Sequence, residues 1–333
     1  MSSSMESLYQ EIILDLSRHP HGRGLEGDAN GSSHQVNPTC GDELTLELVH
    51  FWTLHANTTF TFQGQTWPGN ILREHIRETM YERLSGEHAP YNLRFVTNGV
   101  SCTTASIITA ALNIRELDSM TEQDKENIQQ IHLLLAMYNA LQPGVFAISG
   151  WDLVGALPLP IAMVEERMAD GDTRWIHRGA YDLTGENPDA AVSGEGIPKT
   201  IALYGPLPEQ LANPNSFASQ LKHLLSVREA YKIASSKQIA IPDVTSPSLL
   251  VMVHELPAGK GTQVTALNFS ASTVDEMISL PGVASGPVVD MLAESVVGDL
   301  DELGTLRISL DGYRGVSLRI VSALPAAIVD EDD

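Results

Sequence analysis

The sequence predicts an α/β chain that closes with a separate antiparallel β-domain, and three observations carry that expectation. Apolar residues recur four apart in several stretches, among them Leu72, Ile76, Met80 and Leu84, which is the spacing of one helix face. Beyond residue 245 the pattern changes to short apolar or alternating runs, SLLVMVHEL, TQVTALNFS, TLRISL and GVSLRIVS, separated by Gly, Asp and Pro. The 333 residues are 43% apolar and 19% charged, a globular balance with length enough for two or three domains and a substantial core.

Taken in order, Leu8, Ile12 and Leu16 form the stripe of a short amphipathic helix over 5–18, closed by Pro20. Residues 19–38 are turn-rich and read as an exposed loop, followed by a short strand from Glu43 to Val49. The stretch from Phe51 to Gly69 is irregular and aromatic and reads as a long loop, with the Leu72–Leu84 helix next. IHLLLAMYNAL, residues 131–141, is a helix apolar nearly all round and so expected to be buried. Gln142, Pro143 and Gly144 stop it, and VFAIS then reads as a buried strand. A further helix carries Phe217, Leu221, Leu224, Arg228 and Tyr231, and the chain ends on a solvated DEDD.

Charge and cysteine content narrow the function classes. Twenty Lys and Arg against 42 Asp and Glu give a net charge of −22, a surface that repels phosphate backbones and anionic membranes, so nucleic acid and membrane are not expected partners. No apolar run approaches the roughly 20 residues of a membrane helix. MSSSMESLYQ lacks the basic and apolar regions of a signal peptide, and the chain is expected to be cytoplasmic with its two cysteines, Cys40 and Cys102, reduced.

Five stretches then carry a resemblance: DELTLELV, QTWPGNILREHIRETMYERL, QPGVFAISGWDLVGAL, DGDTRWIHRGAYDL and SFASQLKHLLSVREAY. Over residues 42–325 they resemble trehalose synthase, or maltose α-D-glucosyltransferase, within the α-amylase superfamily (glycoside hydrolase family 13). The resemblance implies a (β/α)8 barrel, here represented by its seventh and eighth strands over 43–245, followed by an antiparallel β-sandwich over 246–325 and an acidic tail. It implies an α-glucoside such as maltose as substrate and no cofactor. Retaining cleavage needs a carboxylate nucleophile and a second carboxyl acid/base about 5 Å apart, with a third Asp stabilising the transition state. Asp42 matches that third Asp, with Gly41 where the family usually has His. The other two carboxylates belong to earlier strands, and the 41 residues ahead of Asp42 contain no DxxxNH-like or GxRxDxxxH-like segment. A barrel of this type takes about 250 residues, so the chain is expected to be catalytically incomplete.

Residues 5–42 point elsewhere. LYQEIILDLSRHPHGRG followed by HQVNPTCGD resembles the start of SufU, the U-type scaffold of iron–sulfur cluster assembly. That resemblance implies zinc or a nascent iron–sulfur cluster held by thiolates and the Asp of CGD, with a cysteine desulfurase as partner. Its candidate ligands are Cys40, Asp42 and Cys102, the last in GVSCTTASI. No third cysteine exists, and Leu16 and Ser17 stand where His and Tyr are usual. Asp42 thus lies where two resemblances meet, as in a fusion at a shared DELTL-like segment.

Other chemistry falls away. AGKGT at 258–262 lacks the first Gly of a phosphate loop and sits where a hairpin turn is expected; His254-Glu255 has no second His three residues on. AISGW and AVSGEG lack the flanking Gly of a nucleophile elbow. Asp152, Asp172, Arg174, Trp175 and Tyr181 follow the expected eighth strand, where they would either line a sugar pocket or make loop packing and surface salt bridges.

Overall fold

The computed structural model describes residues 32–36, 43–47, 59–62, 65–71, 74–75, 78, 94–96 and 99–321. The chain divides into two units, Met1–Met80 and Tyr81–Asp333.

In the first unit, β1 (Ser32–Val36) pairs antiparallel with β2 (Glu43–Glu47), Ser32 opposite Glu47 and Val36 opposite Glu43. The expected strand at Glu43 is present; the expected loop over 19–38 contains β1, which HQV hid among turn residues. A second hairpin joins β3 (Thr59–Phe62) to β4 (Gln65–Pro68). The expected loop over 51–69 therefore contains two strands, and the TFTF alternation with period 2 is the physical reason. Trp67 meets the edge of His75 at 4.9 Å. The stripe over 5–18 and the residues Leu72, Ile76, Met80 and Leu84 lie outside the described residues.

The second unit opens with a short hairpin, β5 (Arg94–Val96) and β6 (Gly99–Ser101), and then α1 (Thr104–Ala111). A capping box starts α1: Thr103 Oγ1 accepts from Ser106 N at 3.3 Å and Ser106 Oγ from Thr103 N at 2.9 Å. The helix expected over 131–141 is longer, α2 (Glu122–Ala140), because a second capping box, Thr121 with Asp124, sets its start nine residues upstream in a polar stretch. Only Ile128 of that stretch reaches full burial, packing with Ile108 and Ile114, so periodicity alone did not reveal it. From Ile131 on, α2 is buried at His132, Leu134, Ala136, Met137 and Ala140.

Helix α2 stops at Leu141, and Gly144 takes the positive φ of +94° that ends the run. The following VFAIS is not the buried strand the sequence predicts: Val145 is 95% exposed and no strand over 145–149 pairs with a neighbour. All ladders between the named strands are antiparallel, and the parallel pairing among the described residues is the isolated bridge of Ala180 with Lys199, so paired parallel barrel strands are not among them. A short α3 (Gly150–Leu153) follows, then loops and three turns of 3-10 helix, α4 (Leu207–Ala212) and α5 (Phe217–Ala230). Helix α5 carries the predicted apolar residues, with Phe217, Leu221, Leu224 and Val227 turned onto α2.

Arg228 of α5 closes the C-terminus of α2. Its guanidinium donates to the carbonyl oxygens of Ala140, the last residue of the helix, and of Gln142 (2.7 Å) and Gly144 in the turn that follows. Arg228 is buried, and among the described residues no carboxylate pairs with it, so the carbonyl dipoles of the helix end balance its charge.

Residues 237–320 form antiparallel sheets, the first strand lying ahead of the expected start at 246. A six-stranded antiparallel sheet has the order β12 (Ser295–Leu300), β11 (Gly286–Asp290), β14 (Gly315–Ile320), β9 (Thr262–Asn268), β8 (Leu249–Glu255) and β7 (Lys237–Ala240). A two-stranded sheet of β10 (Val274–Ser279) and β13 (Thr305–Leu310) packs on one face through Val251, Val253, Val264, Ala266, Ile278, Ile308 and Leu318, giving the expected sandwich. The other face, with Met252, Leu256 and Leu267, lies on α2 and α5. Double burial explains why LLVMVHE reads as a continuous apolar run, whereas TLRISL, covered on one face, alternates. The AGKGT segment is the turn between β8 and β9, as expected. No helix among the described residues is long and apolar enough to cross a membrane.

On the helix-facing side, one cross-strand row is polar: His254 stands opposite Gln263, and Gln263 opposite Arg319. His254 Nδ1 and Nε2, Gln263 Oε1 and Arg319 Nε are buried without hydrogen-bond partners among the described residues. Gln263 Nε2 ties the row to the helices by donating to Leu141 O at 3.3 Å and to Ser317 Oγ at 3.0 Å.

Two predictions follow from this packing. Arg228→Met lowers the unfolding free energy by about 1–3 kcal/mol, because one buried and two partly buried carbonyl contacts lose a charged donor, and Arg228→Lys recovers less than half of it since an ammonium lacks the planar fork; urea unfolding measures both. Burial pushes His254 down to about 4, against about 6.5 in the unfolded chain. The unfolded chain thus takes up a proton as pH falls below 6.5 while the folded chain does not, so stability declines from pH 6.5 to about 4 and levels below. The share due to His254 is on the order of 3 kcal/mol at most; His254→Phe makes the decline shallower in unfolding titrations across that window, while the share due to His132, also pushed down by burial, remains.

Candidate functional site

The segment that leaves α2 positions a buried polar cluster. Asp152 of α3 accepts a hydrogen bond on Oδ2 from Ser149 N at 3.2 Å, which fixes the Gly150–Leu153 turn, and the Thr104 hydroxyl donates to the same carboxylate from α1. Asp152 Oδ1 has no hydrogen-bond partner among the described residues and faces His132 Nε2 of α2 at 3.6 Å. His132 Nδ1 lies 2.9 Å from the Tyr204 hydroxyl. The arrangement that uses every contact has Tyr204 O–H donating to Nδ1, leaving the Nε2 proton directed at Asp152.

Local sequence places each member. After α3 the chain runs antiparallel to residues 201–204: Leu157 N donates to Ile201 O at 2.9 Å and Tyr204 N to Val154 O at 3.0 Å. That ladder brings the Tyr204 ring across Gly155, whose φ is +60° and where a Cβ would lie 2.7 Å from the ring, so glycine is required on both counts. Gln210 of α4 locks the same turn to α5: its Nε2 donates to Leu153 O (2.7 Å) and Gly205 O (2.9 Å), and its Oε1 accepts from Ala218 N (3.0 Å). Phe217 seals the cluster, its ring 4.4 Å from His132 and 5.3 Å from Tyr204. Tyr181 closes the far side, with its hydroxyl set against Gly150 where any side chain would collide.

Burial governs the protonation states. It pushes His132 down to about 4 and so keeps the imidazole neutral. It raises Asp152 above the ordinary carboxylate value, an effect opposed by the bonds from Thr104 and Ser149. Tyr204 and Tyr181 are raised by burial and then by the Asp152 charge. The set can therefore hold and orient a proton between a carboxyl, an imidazole and a phenol. It holds one carboxylate.

The other residues expected near a sugar pocket separate into two groups. Asp152 and Tyr181 join the buried cluster. Asp172, Arg174 and Trp175 form a surface network: Arg174 binds Asp172 at 2.7 and 2.9 Å, Arg178 reaches the same carboxylate at 3.3 Å, and the Arg167 and Arg178 guanidinium groups sit 5.3 and 5.0 Å from the Trp175 ring. The Arg174 hydrogen bond, foremost, holds Asp172 down at about 2. These three make the salt bridges and loop packing that the sequence offered as the alternative reading.

Asp42 and Cys40 lie outside the described residues. Cys102 sits between β6 and α1, partly buried, and burial pushes its thiol up to about 11, which opposes the thiolate that zinc or a cluster needs. Among the described residues no three His, Cys, Asp or Glu side chains converge as a metal site. Sequence reasoning missed His132 and Tyr204. A lone imidazole inside IHLLLAMYNAL was the available signal, since a polar group in an all-apolar helix needs a partner; Tyr204 had none. The variant Tyr204→Phe leaves His132 Nδ1 buried and unpaired and lowers stability by about 1–2 kcal/mol, with a change in the His132 imidazole ¹⁵N shifts that separates loss of this bond from general loosening.

No protein-family model and no curated protein matches the chain. Solved structures similar to part of it are sugar-acting enzymes of more than one kind, among them a putative α-N-acetylgalactosaminidase from Bacillus halodurans C-125, 12% identical over 32% of this chain and 24% of its own at a TM-score of 0.26. The trehalulose synthase MutB from Pseudomonas mesoacidophila MX-45 is 14% identical over 57% of this chain and 38% of its own, at a TM-score of 0.42. An isomaltulose synthase variant from Erwinia rhapontici NX5, in complex with D-glucose, is 13% identical over 60% of this chain and 39% of its own, at 0.43. Amy13B of Eubacterium rectale is 16% identical over 62% of this chain and 36% of its own, at 0.41. The chain spans less than two fifths of each of these enzymes.

Proposed function

We propose that this chain is a trehalose-synthase-like member of the α-amylase superfamily that engages maltose or a related α-glucoside and lacks the means to cleave it. Two kinds of support combine. The five sequence stretches quoted above fall in the order the family resemblance implies. All five overlap the described residues; of these, QPGVFAISGWDLVGAL contains the turn built on Asp152 and SFASQLKHLLSVREAY forms α5 ahead of the β-sandwich.

The observation that carries the second half of the reading is the solitary carboxylate. Retaining cleavage requires two carboxyl groups facing each other at about 5 Å across the sugar. Around Asp152 the partners are an imidazole, a threonine hydroxyl, a backbone N–H and tyrosines. Such groups orient a turn and hold a proton. They do not supply a nucleophile for an anomeric carbon.

Incubation of the purified chain with maltose, followed by ¹H NMR of the anomeric region, tests this. Trehalose should form at least about a thousandfold more slowly than with a trehalose synthase that has both cleavage carboxylates. Rapid conversion would show that a second carboxyl group meets the sugar.

A further inference from the structure

We propose that the cleft enclosed by the loop from Ala180 to Lys199 binds a single neutral sugar ring. This rests on the α-glucoside reading and adds to it the place on the chain where sugar is held, independent of Asp42. The cleft has a volume of about 270 Å³ and is lined chiefly by Tyr181, Asp182, Asn187, Ser193, Lys199 and the small Ala190. At about 30 Å³ per water, this is the space of roughly nine waters, sufficient for one pyranose ring and insufficient for two.

The charge pattern selects a neutral ligand. Asp182 and Lys199 are the charged residues of the lining and are opposite in sign, so no net charge remains to hold a phosphate or carboxylate. The polar groups are also fixed before any ligand arrives. The Asp182 carboxylate accepts from Gly185 N at 2.9 Å and Asn187 N at 2.8 Å; Ser193 Oγ accepts from Ile197 N at 3.1 Å; Lys199 Nζ donates to Pro188 O at 2.7 Å and Asn187 O at 3.3 Å. Each keeps unused capacity: second lone pairs on the carboxylate, the serine proton and a third ammonium proton. Donors and acceptors interleaved in this way suit hydroxyl groups, which both give and take hydrogen bonds. Tyr181, an aromatic residue of the lining, is fixed by its hydroxyl end lying against Gly150.

The test uses the full chain, D-glucose and maltose as probes, and the variant Ala190→Trp. Ala190 is exposed, so an indole there fills the cleft without removing a hydrogen bond or a core contact. Expected are saturation-transfer NMR signals from both sugars with the parent chain, and a rise in Kd of at least about tenfold in Ala190→Trp at unchanged Tm. Glucose binding should be insensitive to salt raised to about 0.5 M. Sugar binding that Ala190→Trp leaves intact would overturn the cleft while sparing the α-glucoside reading. Failure of either sugar to bind the parent chain would overturn both. Glucose 6-phosphate binding about tenfold more tightly than glucose would overturn the choice of a neutral ligand.

Discussion

Arg228 reaching across from α5 to the last carbonyl of α2 and to two carbonyls of the turn after it is the contact on which the junction of α2 and α5 depends. The carbonyl groups at a helix end and in the turn after it have no intrahelical partner, and a single planar cation with several donors satisfies them at once. With that end fixed, α2 and α5 form one layer. The chain emerging at Gly144 then has a defined direction, and Asp152 arrives beside His132. The burial that makes the contact strong also penalises the guanidinium's charge, which is why the bond must go to oriented dipoles.

The same layer sets the character of the β-domain. Its six-stranded sheet is covered on both faces, by the β10–β13 pair and by the helices. A doubly covered sheet has little room for polar groups, yet His254, Gln263 and Arg319 stand in line across three of its strands. Gln263 repays its burial through Leu141 O, the carbonyl next to those Arg228 holds. The helix end is thus met from two sides, by a guanidinium from α5 and by an amide from β9.

Function follows from what this scaffold gathers and what it leaves apart. Buried aromatic rings and a neutral imidazole surround one carboxyl group, which holds the Gly150–Leu153 turn in place. The charged residues that a sequence reader would assign to a sugar pocket instead neutralise one another at the surface around Trp175. The polar loop from Ala180 to Lys199, adjoining the buried cluster through Tyr181, is where hydroxyl-rich chemistry has room.

Much of the local structure was legible in the amino-acid order. The strands of the β-domain announce themselves through alternation and turn residues, and α5 through its four-residue spacing, because these patterns depend on one face of one element. The length of α2 was not legible, since capping by Thr121 and Asp124 rather than periodicity fixes its start. VFAIS shows the opposite limit: five apolar or small residues suit a buried strand, but a strand exists only where another backbone lies alongside, and none of the described ones does. The roles of Arg228 and His132 belong to tertiary structure alone. Arg228 read as one more position on a helix stripe and His132 as a blemish in an apolar one, because their partners lie tens of residues away along the chain. Sequence by itself determined α5 and the strands of the β-domain, whose patterns depend on one face of one element; packing decided whether VFAIS paired, which polar groups are buried and therefore what those groups can hold.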